Sequence, residues 1–429
     1  MPTFTSTLNP VVAWIGLDWA DQQHEVCLQA AGSSALEHST LEHKPEALQV
    51  WVSGLRRLFP QGRVAIALEQ SRGSLFHALM NYDFLLLYPI PPKALADYRQ
   101  ALYPSGAKDD PVDAELLLGL LQKHPDHFRP WLPDDAQTRQ IALLGEHRRQ
   151  LVDDRTALTN RLTALLKGYF PQALEWVGDL TAPLAWDFLA QWTSLEAAKR
   201  ASRLQVLKVY RAHTRRTAEQ MEQLLDQIRT ARPLTSDSAV IESSILMVQA
   251  LVAQLRALHA GLEPMERRLH DLFTSHSDYH LFKSFPGAGE VLAPRLLAAW
   301  GTDRKRFQGA KEMQDFSGVA PVTERSGKKS WVHWRLACPK FLRQTFHEFA
   351  AQSRLKSPCA KAYYQQMRER GLWHQAAVRA LAFKWIRIMY RCWKNHTPYD
   401  EARYQQALNR RGSPLATTLR QLAVQEARA

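Results

Sequence analysis

The chain of 429 residues is too long for one ordinary domain and implies two or three. With 45% hydrophobic and 23% charged residues its composition is globular, which excludes a disordered chain. Lys and Arg number 55 against 42 Asp and Glu, and the net charge of +13 points to a polyanionic partner, because phosphates recruit Lys and Arg through counterion release.

Taken in chain order, residues 11–18 (VVAWIGLD) and 24–30 (HEVCLQA) read as short strands joined by a polar turn at 20–23. A helix is expected over 45–58, a strand over 64–68, a helix over 75–82, and a strand over 84–88 closed by Pro89, Pro91 and Pro92. A further helix starts near Pro111. Strands alternating with helices predict an α/β layer fold for a first domain, 1–135. Next, Leu144, Leu151, Leu158, Leu162, Leu165 and Tyr169 recur at threes, fours and sevens, and Val248, Leu251, Leu255, Leu258, Leu262, Met265, Leu269 and Leu272 alternate three and four apart. That is coiled-coil spacing, so 136–275 is expected to be a helical connector, packed on itself or on another subunit. Gly261 and Pro264 should kink it, and Pro171, Pro183 and Pro233 mark breaks. Residues 276–398 form a mostly α domain of short helices ending in a basic amphipathic helix over 375–394, and 399–429 read as a polar tail.

Four cysteines, Cys27, Cys338, Cys359 and Cys392, form no CxxC pair, which argues against a zinc ribbon or disulfide scaffold and predicts reduced thiols. Apolar runs such as 84–87 and 116–121 stop short of the roughly 20 residues that a bilayer demands, and Asp18 interrupts the stretch from Val11, so no membrane or secretory role is expected. A bacterial-type cytoplasmic, nucleoid-associated location follows.

The positive surplus is concentrated. Between Pro321 and Asn395 sixteen Lys and Arg face only Glu324, Glu348 and Glu369, a surplus equal to that of the whole chain. Trp331, Trp334, Trp373, Trp385 and Trp393 are interleaved with it, a pattern that favours a nucleic-acid surface over a merely solvated basic face.

Two constellations carry chemistry. Asp18 and Glu69 each close a strand, and neighbouring strands would project both from one sheet edge. In KDDPVDA (108–114), Pro111 suits the first helical position, which sets Asp110 at the N-cap and Asp113 three residues on, facing the same point; Asp109 is the poorer fit. Four converging carboxylates repel unless divalent metal neutralises them, and two Mg²⁺ ions (or Mn²⁺) about 4 Å apart are the usual remedy at a phosphodiester. Singly each acid reads as a cap or strand end; together they suggest an RNase H-like nuclease site. The second constellation opens with FPGAGE (285–290), where Gly287 and Gly289 allow a helix-hairpin-helix-like turn onto a phosphate, or an ordinary helix-joining turn. It continues in GVAPVTERSGKKS, where Ser326 precedes Gly327 and sits among Arg325, Lys328 and Lys329, with Arg335 downstream. An accessible serine among cations suits either nucleophilic attack on phosphorus or simple phosphate binding. Ser317 and Ser330 compete, and no general base is evident locally.

GLDWA with Asp18, ALEQS with Glu69, KDDPVDA, FPGAGE and GVAPVTERSGKK occur in this order between about residues 14 and 395, and the chain resembles the Piv-type DNA invertases and the insertion-sequence family 110 (DEDD) transposases. The resemblance implies a RuvC-like first domain, a helical coiled-coil connector and a C-terminal transposase domain. It implies metal ligands at Asp18, Glu69, Asp110 and Asp113 and a nucleophile at Ser326, and it tips that serine toward covalent chemistry. It also implies DNA recombination guided by a structured noncoding RNA, a homo-oligomer (dimer or tetramer), and an active site composed from different domains. The residues after the serine motif, SWVHWRLACPK, depart from the family's Gly-rich and basic pattern. The rival expectations are a junction-resolving or RNase H-like nuclease without a covalent intermediate, and a non-enzymatic nucleic-acid binder.

Overall fold

The computed structural model describes residues 10–69, 73–103, 110–327 and 329–426. The chain divides into two compact units, Met1–Pro133 and Asp134–Ala429.

The first unit holds strands β1 (Val11–Asp18), β2 (Gln23–Ala30), β3 (Glu37–Glu42), β4 (Arg63–Leu68) and β5 (Leu85–Pro89), with helices α1 (Pro45–Leu58), α2 (Ser74–Leu79), α3 (Pro92–Leu102) and α4 (Asp110–Lys123). One sheet runs in the order β3-β2-β1-β4-β5. β1 pairs with β2 antiparallel and with β4 parallel, and β5 lies parallel to β4. Alternation along the strands supplies two cores. Ala13, Ile15 and Leu17 of β1 and Val64, Ile66 and Leu68 of β4 pack with Val52 and Leu55 of α1 and Leu75, Phe76 and Leu79 of α2. On the opposite face Ala65 and Ala67 meet Leu95 of α3 and Leu116, Leu117 and Leu120 of α4.

Two elements depart from the sequence reading. The stretch of β3, EHSTLE, has no apolar alternation and buries only Leu41; it is a strand because β2 offers it a free ladder. Pro91 and Pro92 end β5 as expected, but Pro92 also opens α3, where a proline at the first helical position costs no hydrogen bond.

The second unit begins with α5 (Ala136–Tyr169), followed by α6 (Gln172–Val177), α7 (Pro183–Gln191), α8 (Leu195–Arg200), α9 (Arg203–His213), α10 (Ala218–Thr230) and α11 (Ser238–Thr274). The predicted periodicity folds back within the chain: Leu158, Leu162 and Leu166 of α5 share one core with Val248, Leu251, Val252 and Leu255 of α11. α11 runs through Gly261 and Pro264 without interruption. By length and composition alone it could cross a bilayer, but Leu262, Leu269, Leu272 and Phe273 are buried like the residues above, while Val240, Leu246 and Met247 near its start are exposed.

Then come α12 (Tyr279–Lys283), α13 (Gly289–Trp300), α14 (Ala310–Phe316), an antiparallel hairpin of β6 (Val322–Ser326) and β7 (Lys329–His333), α15 (Lys340–Ser353), α16 (Pro358–Glu369) and α17 (His374–Lys394). Their core gathers Phe285, Trp300, Phe346, Phe349, Trp385 and Trp393. Where the sequence reads only a polar tail, α18 (Glu401–Arg410) and α19 (Pro414–Glu426) follow. Leu408, Leu415 and Ala416 pack on Cys359 and Ala362 of α16, and Glu401 accepts hydrogen bonds from Ser357 Oγ and the Cys359 amide. The tail is helical because a thin apolar stripe finds α16. All four cysteines are free thiols, as expected; Cys27 and Cys359 are buried.

A candidate acidic metal centre and a basic hairpin

Strand parity decides where the acids go. With Ile15 and Leu17 committed to the α1–α2 core, Gly16 and Asp18 face the opposite side of the sheet, where α4 lies. Gly16 is the reason α4 can lie so close: a Cβ there would stand 1.8 Å from the Ala114 carbonyl oxygen and 2.6 Å from the Leu118 nitrogen. Asp110 and, three residues on, Asp113 both lie in the first turn of α4, where the helix dipole favours carboxylates. The sequence reading set Asp110 at the N-cap; in the described residues it already lies within α4, and the two acids still share a face. One carboxylate oxygen from each of Asp18, Asp110 and Asp113 lies within 4.8 Å of the others. Asp18 and Asp113 are buried (8% and 1% exposed) and Asp110 is exposed.

Glu69 directly follows β4, one step beyond the Leu17–Leu68 pair, and continues the parity of Ala65 and Ala67 toward α4. It is half-buried and stands outside the close-set trio. Asp109 lies outside the described residues.

Two features of this site were not foreseen from sequence. Arg99 of α3 reaches Asp113 with a two-pronged contact, Nε to Oδ1 at 2.6 Å and Nη2 to Oδ2 at 2.5 Å. Beside the acids runs a chain of rings. The Ala20 amide donates to Nδ1 of the fully buried His24, so neutral His24 carries its proton on Nε2 and donates it to His43 Nδ1 at 2.9 Å. His43 in turn donates from Nε2 to Ser74 Oγ at 3.0 Å. Burial, then the neighbouring His43, hold the His24 pKa below its ordinary value. The chain ties the backbone after Asp18 to the start of α2, just past Glu69.

In the second unit Ser326 is the last residue of β6, exposed and paired in register with Lys329. Gly327 turns the hairpin at φ +56°, a conformation that suits glycine. Arg325 and Lys329 are exposed beside it; Lys328 lies outside the described residues. Arg335 is instead committed to an ion pair with Asp315, Nη2 to Oδ1 at 3.0 Å. Gly287 (φ +81°) is pressed against backbone, since a Cβ would meet the Gln352 carbonyl at 2.9 Å, whereas Gly289 is exposed at the start of α13. Of the five tryptophans in the basic stretch, Trp385 and Trp393 are core, while Trp331, Trp334 and Trp373 are exposed, Trp373 by 85%. Arg379 lies 4.2 Å and Arg343 5.9 Å from the Trp334 ring. Burial, with the charges of Arg379 and Arg343, lowers the nearby His347 to about 4.

Comparison with known proteins identifies the family. A transposase family model for the IS110 DEDD domain matches residues 15–171, and one described as transposase IS116/IS110/IS902 family matches residues 279–365. The chain is 29% identical over 413 residues to the mini-circle protein for IS117 of Streptomyces coelicolor, covering 92% of this chain and 97% of that one. It is 23% identical over 381 residues to the 44.8 kDa protein of insertion element IS116 of Streptomyces clavuligerus, covering 88% and 93%. It is also 23% identical over 397 residues to the 42 kDa protein of insertion element IS900 of Mycobacterium paratuberculosis, covering 91% and 97%. With two family models matching in order and relatives aligned over about nine-tenths of its length, the chain belongs to the IS110 family of transposases.

Proposed function

We propose that this transposase cuts and rejoins DNA strands through a divalent-metal site on Asp18, Asp110 and Asp113, completed by Glu69, and through the Ser326 hydroxyl. The observation that carries the reading is the convergence of three carboxylates within 4.8 Å, two of them buried. Such a group is costly without a cation, and its hard oxygen donors suit Mg²⁺ or Mn²⁺. A bound metal there would activate an attacking hydroxyl and stabilise the leaving oxygen at phosphorus. The mixed sheet in the order β3-β2-β1-β4-β5 supports an RNase H-like, RuvC-like reading of the first unit.

Ser326 supplies the covalent step. Its Oγ forms a bond to phosphorus as the bond to one strand's oxygen breaks, and that strand leaves as a free hydroxyl carrying the proton. A hydroxyl from the second strand then attacks the phosphoserine and releases Ser326, so the count of phosphodiester bonds is unchanged and no nucleotide triphosphate is consumed. Arg325 and Lys329 flank the phosphate electrostatically, and the exposed Trp331, Trp334 and Trp373 offer stacking faces for bases. A structured noncoding guide RNA on the basic second unit would select target DNA by pairing, leaving the protein to read shape and charge. The exposed apolar residues of α11 support assembly as a homo-oligomer.

The test is strand exchange on DNA carrying the element ends, with Mg²⁺ and RNA transcribed from the flanking element. The wild-type chain should give a denaturant-resistant protein–DNA adduct and recombined product; Ser326→Ala should lose both, and Asp113→Asn should lose metal-dependent cutting. Cutting that persists in Ser326→Ala without an adduct would identify a metal-water nuclease instead. Salt-sensitive binding with no strand chemistry would identify an architectural binder.

A further inference from the structure

Asp113 is the most buried of the three acids, and it is already held by a cation. Its carboxylate is 1% exposed, and Arg99, whose side chain is 19% exposed, grips both oxygens at 2.6 and 2.5 Å. A buried carboxylate needs such a partner, and the planar guanidinium satisfies it with a matched pair of hydrogen bonds. One of these two oxygens is the ligand atom that a metal shared with Asp18 and Asp110 would need.

We propose that Arg99 is the built-in counter-ion of the acidic centre, holding Asp113 when metal is absent and giving it up when a divalent cation binds. The reasoning rests on the metal reading above and goes one step beyond it. Arg99 sits on α3 while Asp113 sits on α4, so the grip ties two helices at the site. A guanidinium and a divalent cation at one carboxylate repel each other across a few ångströms of partly desolvated space. Asp113 would supply one of the short, well-placed oxygen ligands that a magnesium ion needs once the fork lets go. Metal affinity is therefore set low by competition, and the empty site remains folded because three negative charges are never left alone. The freed guanidinium, displaced but still beside the centre, becomes a donor for a phosphate oxygen of the bound strand. Arg99 is thus a positioning residue whose partner changes with metal occupancy.

The experiment uses the full chain and Mn²⁺ alone as probe, read by loss of the free-ion electron paramagnetic resonance signal, with wild type, Arg99→Gln, Arg99→Lys and Asp113→Asn. Removing the competitor should tighten Mn²⁺ binding by about tenfold or more in Arg99→Gln, as expected for loss of a close like charge. In chelator the same variant should melt below wild type, and saturating Mn²⁺ should close that gap. Arg99→Lys keeps the charge but loses the fork, so it should tighten binding less, and it supplies the test should Arg99→Gln not fold. Asp113→Asn should bind weakly whatever stands at position 99. Equal or weaker binding in folded Arg99→Gln, with wild type binding normally, overturns the counter-ion role and leaves the metal site standing. Absence of binding by wild type overturns both.

Discussion

Gly16→Ala tests how the acidic centre is built. The added Cβ would sit 1.8 Å from the Ala114 carbonyl oxygen, against the 3.4 Å at which ordinary contact begins, so α4 must retreat from β1 by about 1.6 Å. The obstructing atoms are backbone, so no side-chain rotation relieves them. Overpacking of this kind costs about 1–3 kcal/mol, and the upper end is expected here because a whole helix must shift. The same shift carries Asp110 and Asp113 away from Asp18. Because Mg²⁺ tolerates only small departures from oxygen distances of about 2.1 Å, divalent binding should weaken by about tenfold or more. Hydrogen exchange on β1 and α4 reads the first effect locally, and a Mn²⁺ titration reads the second. A Gly16→Ala chain with wild-type protection in both elements and unchanged Mn²⁺ affinity would refute the claim that this glycine sets the spacing of the site.

Gly54 lies inside α1 with nothing near its missing Cβ, so Gly54→Ala should raise stability by about 0.5–1 kcal/mol in urea unfolding, and a loss would contradict the open space seen there. His43→Ala strips the acceptor from the buried Nε2–H of His24 and should cost about 1–3 kcal/mol, measurable in the same assay; wild-type stability would mean the ring chain is ornamental. His347, faced by Arg343, Arg379 and Trp334, is kept neutral with a pKa of about 4 against an ordinary 6.5. The unfolded chain therefore binds the extra proton first, and the stability contributed above pH 6.5 is lost as pH falls toward 4. Wild type should lose at most about 2 kcal/mol more than His347→Gln between pH 7 and pH 5 in guanidinium unfolding, and identical pH slopes would rule this out.

Much of the first unit was legible in the sequence because its strands obey period two with one face buried: β1, β2, β4, α1 and α4 fall within a residue or two of expectation. That parity also accounts for the meeting of Asp18 with the DxxD turn, since a residue next to Leu17 must face away from the core that Leu17 joins. What stayed hidden depends on space rather than pattern. Nothing in GLDWA announces that Gly16 is a seat for a helix backbone. The Arg99–Asp113 grip was invisible because no element is expected between Pro92 and Pro111, although KALADYRQAL after Pro92 has helical spacing. In the second unit, composition separated no core tryptophan from a surface one: Trp385 and Trp393 follow the helical period of α17, whereas Trp331 and Trp334 lie on or beside an exposed two-stranded ribbon with no period to read.

The two halves of the proposed chemistry are built in opposite ways, and that makes them separable by experiment. Asp18 and Asp113 are buried, charged and wedged between a strand and a helix, so any change there alters stability together with metal binding. Ser326 stands on a hairpin whose strands are exposed almost throughout, so removing one hydroxyl has no packing to disturb. A two-stranded ribbon of this sort is marginal by itself. Loss of strand transfer in Ser326→Ala at unchanged stability would therefore report chemistry alone. The same loss in Asp113→Asn has to be read against its melting curve before it says anything about metal.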